Sequence, residues 1–390
     1  MSANQQLPPS RVLITGAAGF LGFHTATALS AQPSTFILGL DNFNSALYSA
    51  QLKQQREALL LSCCNVTIEH GDIRSTSLLQ HLFGCYNFTQ VVHLAAQAGV
   101  RLSVQQPAQY VANNVEGTVH LLEAIRQQHP PASLVYASSS LSVECRSVLP
   151  SKECYVLCGK PTSVYAASKR ATEEMVAVYN HQYGIAATGL RFFTVYGPYG
   201  RPDMAVAKLA AGLACGVPIN ITCFKIPAAA ATHHTIRDFT AVSDVVQGIQ
   251  AACKATAANA AHAQSERQAQ NSPSHVVYNL GRGQPTSTVL LLHYLEVLLN
   301  KQAVSVNFVM PAAANAASVG RGTADVWATW ADMTAAKQGL GVEPRMGLRD
   351  GLEEFARGSR AVPALRMRHF QIRHNVTQTM QLGRRALSRC

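Results

Sequence analysis

Five apolar runs of strand length recur through the first half of the chain and alternate with longer segments of helical pattern. The runs are RVLIT, FILGL, NVTIE, QVVHLA and SLVYAS, all within residues 11–138. A segment long enough for a helix follows each run, which is the rhythm of a parallel sheet covered by helices on both faces. The sequence therefore predicts an α/β fold built on a doubly wound parallel sheet.

The net charge of +11 is concentrated at the C-terminal end of the chain. Residues 356–390 carry eight arginines and no acidic residue, so the rest of the chain carries eleven less eight, or +3. We interpret this segment as a loosely ordered basic tail, with weak binding of an anionic partner as the alternative. Nucleic acid is therefore not expected to be the main partner.

The remaining composition is typical of a large-cored protein without a membrane span. Hydrophobic residues make up 48% of 390 positions, yet no apolar run reaches the roughly 18 residues of a span, and the N-terminus is polar. We expect a soluble, cytoplasmic protein.

The ten cysteines show no zinc-ligand spacing, so we expect no metal site and mostly buried, reduced thiols. Alanine-rich pieces at 227–234, 254–274 and 311–318 are interpreted as surface loops.

The first strand runs directly into the glycine-rich segment TGAAGFLG, which opens a helix with Gly16, Gly19 and Gly22. Residues without a Cβ let the backbone turn tightly and approach a pyrophosphate, whose charge the helix N-terminus favours. The second strand ends at Asp41, where a carboxylate would bind an adenosine ribose diol and repel a 2′-phosphate. This combination predicts a dinucleotide site that prefers NAD to NADP.

A tyrosine and a lysine lie four positions apart in the segment PTSVYAASKRATEE, residues 161–174. On a helix this spacing places Tyr165 and Lys169 on one face. A neighbouring ammonium would favour the phenolate and lower the pKa of the tyrosine, so the pair is suited to proton transfer. The pattern alone is common on solvated helices.

Ten motifs in order give the chain a resemblance to a known family. They are TGAAGFLG, LDNFN, HGDIR, VVHLAAQAGVR, NNVEGT, YASSS, YAASKRATEE, GLRFFTVYGPYGRPDMA, RDFTAVSDVV and YNLGRG, and they span roughly residues 10–355. The chain resembles the extended short-chain dehydrogenase/reductase family, within it the nucleotide-sugar 4-epimerases, and most closely those that act on UDP-glucuronate.

The resemblance implies a Rossmann-type domain at 8–192, a smaller substrate-binding α/β lobe mainly at 193–355 with segments that return to the first lobe, and the basic tail at 356–390. It also implies an NAD-dependent isomerase that acts on a UDP-sugar through a transient 4-keto intermediate and forms a homodimer. The implied catalytic residues are Ser140, Tyr165 and Lys169. The implied cofactor contacts are Gly16, Gly19, Phe20, Leu21, Gly22, Asp41, Asn42, Asp72, Ile73, Leu94, Ala95, Ala96, Tyr165, Lys169 and Asn114, the last also as a structural and proton-relay residue.

Residues close to the implied catalytic residues indicate which reaction the protein catalyses and which sugar it binds. Related dehydratases and decarboxylases carry acids just after the catalytic serine, whereas this chain has Leu141 and Ser142, which favours epimerisation. Ser142 is also expected to contact the substrate. Thr194 and Arg201 flank a Gly-Pro turn, and an arginine is suited to binding a uronate carboxylate. The resemblance further assigns Arg237 and Asp325 to the UDP group.

Departures from the family pattern leave alternatives open. Glu144 and Cys145 replace the usual tyrosine and glycine, and Ala324 replaces the glycine before Asp325. UDP-glucuronate to UDP-galacturonate conversion is the favoured reaction. A UDP-glucose or UDP-N-acetylglucosamine 4-epimerase would not need Arg201 as a carboxylate ligand. A catalytically drifted cofactor-binding scaffold is the third hypothesis.

Overall fold

The computed structural model describes residues 10–32, 34–143, 148–154, 161–225, 232–265, 275–310 and 326–361. Its strands are β1 (Ser10–Thr15), β2 (Thr35–Asp41), β3 (Val66–His70), β4 (Gln90–His93), β5 (Ser133–Ser139), β6 (Ala187–Phe192), β7 (Thr194–Tyr196), β8 (Ile219–Lys225), β9 (Thr232–His234), β10 (Ile236–Ala241), β11 (His275–Leu280), β12 (Pro285–Ser287), β13 (Val306–Val309) and β14 (Ala328–Thr329).

The helices alternate with these strands. They are α1 (Phe20–Ser30), α2 (Ala50–Leu60), α3 (Thr76–Tyr86), α4 (Val100–Gln105), α5 (Pro107–Tyr110), α6 (Gly117–Gln127), α7 (Val164–Tyr183), α8 (Ala205–Cys215), α9 (Val242–Ser265), α10 (Thr288–Leu299), α11 (Thr334–Leu340) and α12 (Leu348–Ala361). A π-helical turn, Val111–Glu116, joins α5 to α6, and a 3₁₀ turn, Ser140–Val143, follows β5.

A seven-stranded parallel sheet forms the first lobe, in the order β11-β6-β5-β4-β1-β2-β3. The strand order reverses between β1 and β4, and ligands of open α/β sheets bind in the crevice at such a point. Strands β4 and β5 are buried along their whole length, as expected for central parallel strands. The predicted doubly wound sheet is confirmed.

Successive side chains of β1 feed the two hydrophobic cores on opposite faces of the sheet. Val12 and Ile14 pack in the core that includes residues of α1 and α9, whereas Leu13 packs in the core that includes residues of α3 and α6. This alternation follows from the two-residue period of a strand. Both faces of the sheet are thereby covered by helices.

The second lobe has its own core, built mainly from α8, α10, α12 and strand β10. Strand β6 ends at Phe192, and β7 begins at Thr194 and pairs with β10 in the second lobe. The chain then returns to the first lobe as α9, as β11 and as α11. Substrate-side residues of the second lobe are therefore tied to the sheet edge at which β5 and β6 end.

Four sequence interpretations differ from the structure. Of the alanine-rich piece at 227–234, residues 232–234 form strand β9, which pairs with β8. The alanine-rich piece at 254–274 is helical as far as Ser265, because alanine is the strongest helix former and Thr256 is buried against Thr188. Helix α12 continues to Ala361, past the start placed for the tail at residue 356. The described cysteines are not mostly buried, since Cys64, Cys85, Cys154 and Cys215 are exposed.

Some sequence predictions lie outside the described residues: those on Glu144, Cys145, Asp325, the pieces at 227–231, 266–274 and 311–318, and the tail from residue 362. Within the part of the chain that the structure describes, no helix combines the length and apolar character that a membrane span needs.

Candidate active site

A cavity of about 920 Å³ opens at the carboxyl ends of the central strands and extends into the second lobe. It brings together most of the residues predicted from the sequence: Gly16, Gly19, Phe20, Leu21, Gly22, Asp41, Asn42, Ile73, Leu94, Ala95, Ala96, Ser140, Tyr165, Lys169, Thr194, Arg201 and Arg237. Asp72, Asn114 and Ser142 do not line it.

The glycine turn between β1 and α1 is packed against the protein backbone too tightly for a side chain at Gly16 or Gly19. Gly16 has a φ of +72°, and a Cβ there would lie 2.8 Å from the nitrogen of Ala95. A Cβ on Gly19 would lie 2.8 Å from the carbonyl oxygen of Gly16. Helix α1 has no side-chain cap at its N-terminus, so its first amides suit a phosphate. These features fit the pyrophosphate of a dinucleotide.

Asp41 is held by three protein donors at the end of β2. Its Oδ2 accepts from the amide of Ala18 at 3.1 Å, and its Oδ1 accepts from the amide of Phe43 at 2.8 Å and from Nζ of Lys53 at 2.9 Å. Lys53 was missed because its position twelve residues later, on α2, gives no local sign of the contact.

Of the residues predicted near the adenosine, some line the cavity and one, Asp72, binds a lining residue from behind. Asn42 and Ile73 line the cavity, and the side chain of Asn42 donates to Oδ2 of Asp72 at 3.0 Å. Arg74 pairs with Asp72 at 2.8 Å, and its hydrogen bonds lower the pKa of that carboxyl to about 2. Asp72 therefore positions Asn42 rather than bordering the cavity itself.

Asn114 bridges two segments behind the cavity. Its side chain accepts from the amide of Gln97 at 2.7 Å and donates to the carbonyl of Gln97 and to the hydroxyl of Ser168. Its own carbonyl accepts from Thr118 and Thr172. Ser168 in turn donates to the carbonyl of Tyr165 at 2.8 Å, so Asn114 supports the backbone of α7 at the predicted catalytic pair.

Tyr165 and Lys169 lie one turn apart near the start of α7, whose first turn is capped by the hydroxyl of Ser163. Burial raises the pKa of Tyr165, and the positive charge of Arg201 and a hydrogen bond with Ser139 oppose that rise. The expected lowering of this pKa by Lys169 stays a prediction; the ammonium of Lys169 donates to a backbone carbonyl.

The carbonyl oxygen that Lys169 binds belongs to Ala137, 2.8 Å away on β5. Burial lowers the pKa of Lys169 to about 8, and the negative charge of Glu173 opposes this change. Lys169 borders the cavity but is only 4% exposed. Lys169 therefore presents a buried ammonium at the wall of the cavity.

The serine run at the end of β5 sends its hydroxyls in different directions. Ser140 and Ser139 line the cavity, and Ser139 is the serine that acts on the pKa of Tyr165. Ser142 points away from the cavity: its hydroxyl donates to the carbonyl of Ser139 at 2.7 Å and contacts Glu173 at 3.0 Å. The predicted contact of Ser142 with substrate is therefore not supported, because the protein interior already binds its hydroxyl.

Glu173 was not singled out from the sequence, although it follows Lys169 by one helical turn. It binds Arg191 through Oε1 at 2.8 Å and Oε2 at 2.7 Å, and it contacts the hydroxyl of Ser138. Arg191 also donates to the carbonyl of Glu153 at 3.0 Å. The spacing of an acid four residues after the lysine was the signal that could have identified it.

Arg201 and Thr194 reach the cavity from the second-lobe side. The Nε and Nη2 atoms of Arg201 bind both carboxylate oxygens of Asp203, at 3.0 and 2.6 Å. Arg237 borders the cavity and donates to the carbonyls of Ile236 and Val326. Arg201 and Arg237 thus present guanidinium groups to the cavity, which Arg101 also lines.

Comparison with known proteins agrees with this geometry. A family model described as the NAD dependent epimerase/dehydratase family matches residues 12–281. UDP-glucuronate 4-epimerase 3 of Arabidopsis thaliana is 39% identical over 347 residues, which cover 89% of this chain and 75% of the plant protein.

Two solved structures share the fold. UDP-glucuronic acid 4-epimerase from Bacillus cereus, in complex with UDP-glucuronic acid and NAD, aligns with a TM-score of 0.74 at 29% identity and covers 90% of this chain and 100% of its own. UDP-glucose 4-epimerase from Thermus thermophilus, in complex with NAD, aligns with a TM-score of 0.70 at 27% identity and covers 90% and 99%. With its glycine turn, its paired tyrosine and lysine and this family match, the chain belongs to the NAD-dependent epimerase/dehydratase family.

Proposed function

We propose that the protein interconverts UDP-glucuronate and UDP-galacturonate by inverting C4 of the sugar. The observation that carries this choice is Arg201, a guanidinium that borders the same cavity as Tyr165 and acts on its pKa. A uronate carboxylate is the substrate group that such a side chain would recognise. The similarity to plant and bacterial proteins named UDP-glucuronate 4-epimerase supports the same sugar.

Proton transfer falls to Tyr165. As a general base it would take the proton of the 4′-hydroxyl, and Ser140 would hydrogen-bond the same oxygen. Because burial raises the pKa of Tyr165, its phenolate needs the stabilisation that Arg201 and Ser139 provide. Lys169 adds a buried cation one helical turn away. When bound, NAD supplies reversible acceptance of a hydride.

Inversion requires a transient 4-keto sugar to present its other face before reduction. No carboxylate follows Ser140 in the next two positions, which are Leu141 and Ser142, so an acid for elimination or decarboxylation is missing there. Binding of the C6 carboxylate by Arg201 would also disfavour loss of carbon dioxide from the β-keto acid. Epimerisation is the reaction that this set of side chains supports best.

UDP-glucose is the second candidate substrate. In the structure the Nε and Nη2 atoms of Arg201 already bind Asp203, so the charge of the guanidinium is balanced without a uronate. The Thermus thermophilus relative is a UDP-glucose 4-epimerase. Arg201 could then serve to hold the GPYGRPD turn in place.

The two substrates are separated by incubating the purified protein with UDP-glucuronate, UDP-glucose or UDP-N-acetylglucosamine and resolving the products by chromatography. UDP-galacturonate formed without net NADH supports the proposal, and turnover of UDP-glucose alone would refute it. Tyr165→Phe is the control, because it removes the proposed base. Dinucleotide binding without turnover of any sugar would favour a scaffold.

We further propose that the protein is a homodimer that pairs through helices of the first lobe. Val111 on the π-helical turn and Met175 and Val178 on α7 are exposed apolar side chains on elements that pack against each other. A second copy would remove this surface from water. The cytoplasmic location stays a prediction from the sequence.

A further inference from the structure

Lys53 places a positive charge against Asp41, the carboxylate that is predicted to bind the cofactor ribose. Its Nζ lies 2.9 Å from Oδ1 of Asp41, and the two side chains are 11% and 3% exposed. Both residues border the dinucleotide half of the cavity. A buried pair at this distance acts on a ligand as one unit, because little water separates or screens the charges.

The hydrogen bonds of Asp41 leave limited room for a ribose. A carboxylate offers about four acceptor positions. Three are used, by the amides of Ala18 and Phe43 and by Lys53. An ammonium carries three donors, and the described contacts of Lys53 use one of them. A diol at this site can therefore accept from Lys53 as well as donate to Asp41.

The pair of Lys53 and Asp41 also changes the electrostatic repulsion that a phosphate on the ribose 2′-oxygen would meet. A lone carboxylate would repel a 2′-phosphate, whereas an ammonium in contact with that carboxylate cancels much of the repulsion. Without the carboxylate, the same ammonium would be a buried cation without its anion, and a phosphate would satisfy it.

Arg56, one turn after Lys53 on α2, does not share this role. It is fully buried, and its guanidinium donates to the carbonyls of Ala18 and Tyr199 and to the hydroxyl of Tyr48. It does not border the cavity. Lys53 is therefore the cation of α2 that a cofactor can reach.

We propose that Lys53 sets how strongly the site discriminates against a 2′-phosphate: paired with Asp41 it weakens the repulsion that the carboxylate exerts on such a phosphate, and without that carboxylate it binds the phosphate. The proposal rests on the NAD dependence of the family and not on the identity of the sugar. Its test uses binding constants, so an enzyme that turned over no UDP-sugar would leave the result unaffected.

The experiment compares the dissociation constants of NADH and NADPH, measured by nucleotide fluorescence with protein stripped of bound dinucleotide. Lys53→Met should raise the NADPH-to-NADH ratio of dissociation constants about fivefold or more, and Asp41→Ser should lower it about tenfold or more. Adding Lys53→Met to Asp41→Ser should abolish that gain. Lys53→Arg is the matched control and should keep the ratio near that of the unaltered protein.

Two results would overturn the proposal. One is an unchanged ratio in Lys53→Met; the other is a double variant that binds NADPH as tightly as Asp41→Ser. If Asp41→Ser does not fold, Lys53→Met still decides, because it keeps Asp41 and the two backbone amides that hold it.

Discussion

Glu173 binds Arg191 through both carboxylate oxygens, at 2.8 and 2.7 Å, in the interior beneath the end of strand β5. The same carboxylate contacts the hydroxyls of Ser138 and Ser142, which lie on either side of Ser140. The ion pair therefore supports the turn that borders the sugar half of the cavity, although neither of its members lines that cavity.

Removing one member of this pair should destabilise the protein strongly. Glu173→Ala leaves Arg191 buried without its anion, and we expect a loss of about 3–5 kcal/mol in the free energy of unfolding. Urea denaturation measures this loss. The control is Glu174→Ala at the exposed neighbouring position, which should change stability by no more than about 0.5 kcal/mol. Similar losses in both variants would contradict the prediction.

Lys169 should make stability depend on pH in the alkaline range. Burial lowers its pKa from 10.5 to about 8, so between these values the unfolded chain binds more protons than the folded protein. Stability contributed by Lys169 should therefore rise with pH across this window, by on the order of 3 kcal/mol. Denaturation of the unaltered protein and of Lys169→Met at pH 7.5 to 10 tests it. The slope difference should vanish if Lys169 keeps its ordinary pKa.

Ser139 should tune the base. Its hydrogen bond opposes the rise in the pKa of Tyr165, so Ser139→Ala should raise that pKa further. We expect about tenfold lower kcat at pH 7.5 and an acid limb of the kcat profile displaced to higher pH. Ser142→Ala is the control, because Ser142 contacts Glu173 and not the cavity. An acid limb that moves equally in both variants would assign Ser139 a structural role.

Arg201 should discriminate between uronate and neutral sugars. Arg201→Met removes the guanidinium from the cavity, and we expect UDP-glucuronate turnover to fall about 10- to 100-fold more than UDP-glucose turnover. Lys208→Met, at an exposed lysine that also borders the cavity, should affect both substrates alike. Equal losses in Arg201→Met would mean that Arg201 acts only through its pair with Asp203.

The dimer proposal is tested by introducing charge on α7. Val178→Glu places a carboxylate at a side chain that is 46% exposed, so the isolated chain should keep its fold while an apolar interface there would be disrupted. Light scattering should report a dimer for the unaltered protein and a monomer for the variant. A monomer in both cases would remove the proposal.

The sequence predicts those structural features that depend on residues close together in the chain, namely the strands and the spacing of side chains along a helix. Strands β1 to β5 and the one-turn spacing of Tyr165 and Lys169 follow from apolar periodicity and helix geometry. The piece after Lys254 was misread because alanine-rich composition is shared by loops and helices, and only its packing decides between them.

The side chains that bind the predicted residues cannot be predicted from the sequence in this way. Lys53 meets Asp41, and Arg191 meets Glu173, only because separate elements fold together. Each partner changes the chemistry of its carboxylate. Sequence spacing identifies which side chains converge on the cavity, and tertiary contacts determine their charge, acceptor capacity and direction.

Ala18 in the glycine turn carries a consequence for how long a dinucleotide stays. Its amide donates to Asp41 and its carbonyl accepts from Arg56. Protein side chains therefore hold both backbone polar groups of this residue, which orders the turn. A binding site that is already ordered loses little binding free energy to ordering when the dinucleotide binds. The affinity is therefore higher and the dinucleotide dissociates more slowly. Slow release suits a catalyst whose dinucleotide is oxidised and reduced within a single turnover and need never be exchanged.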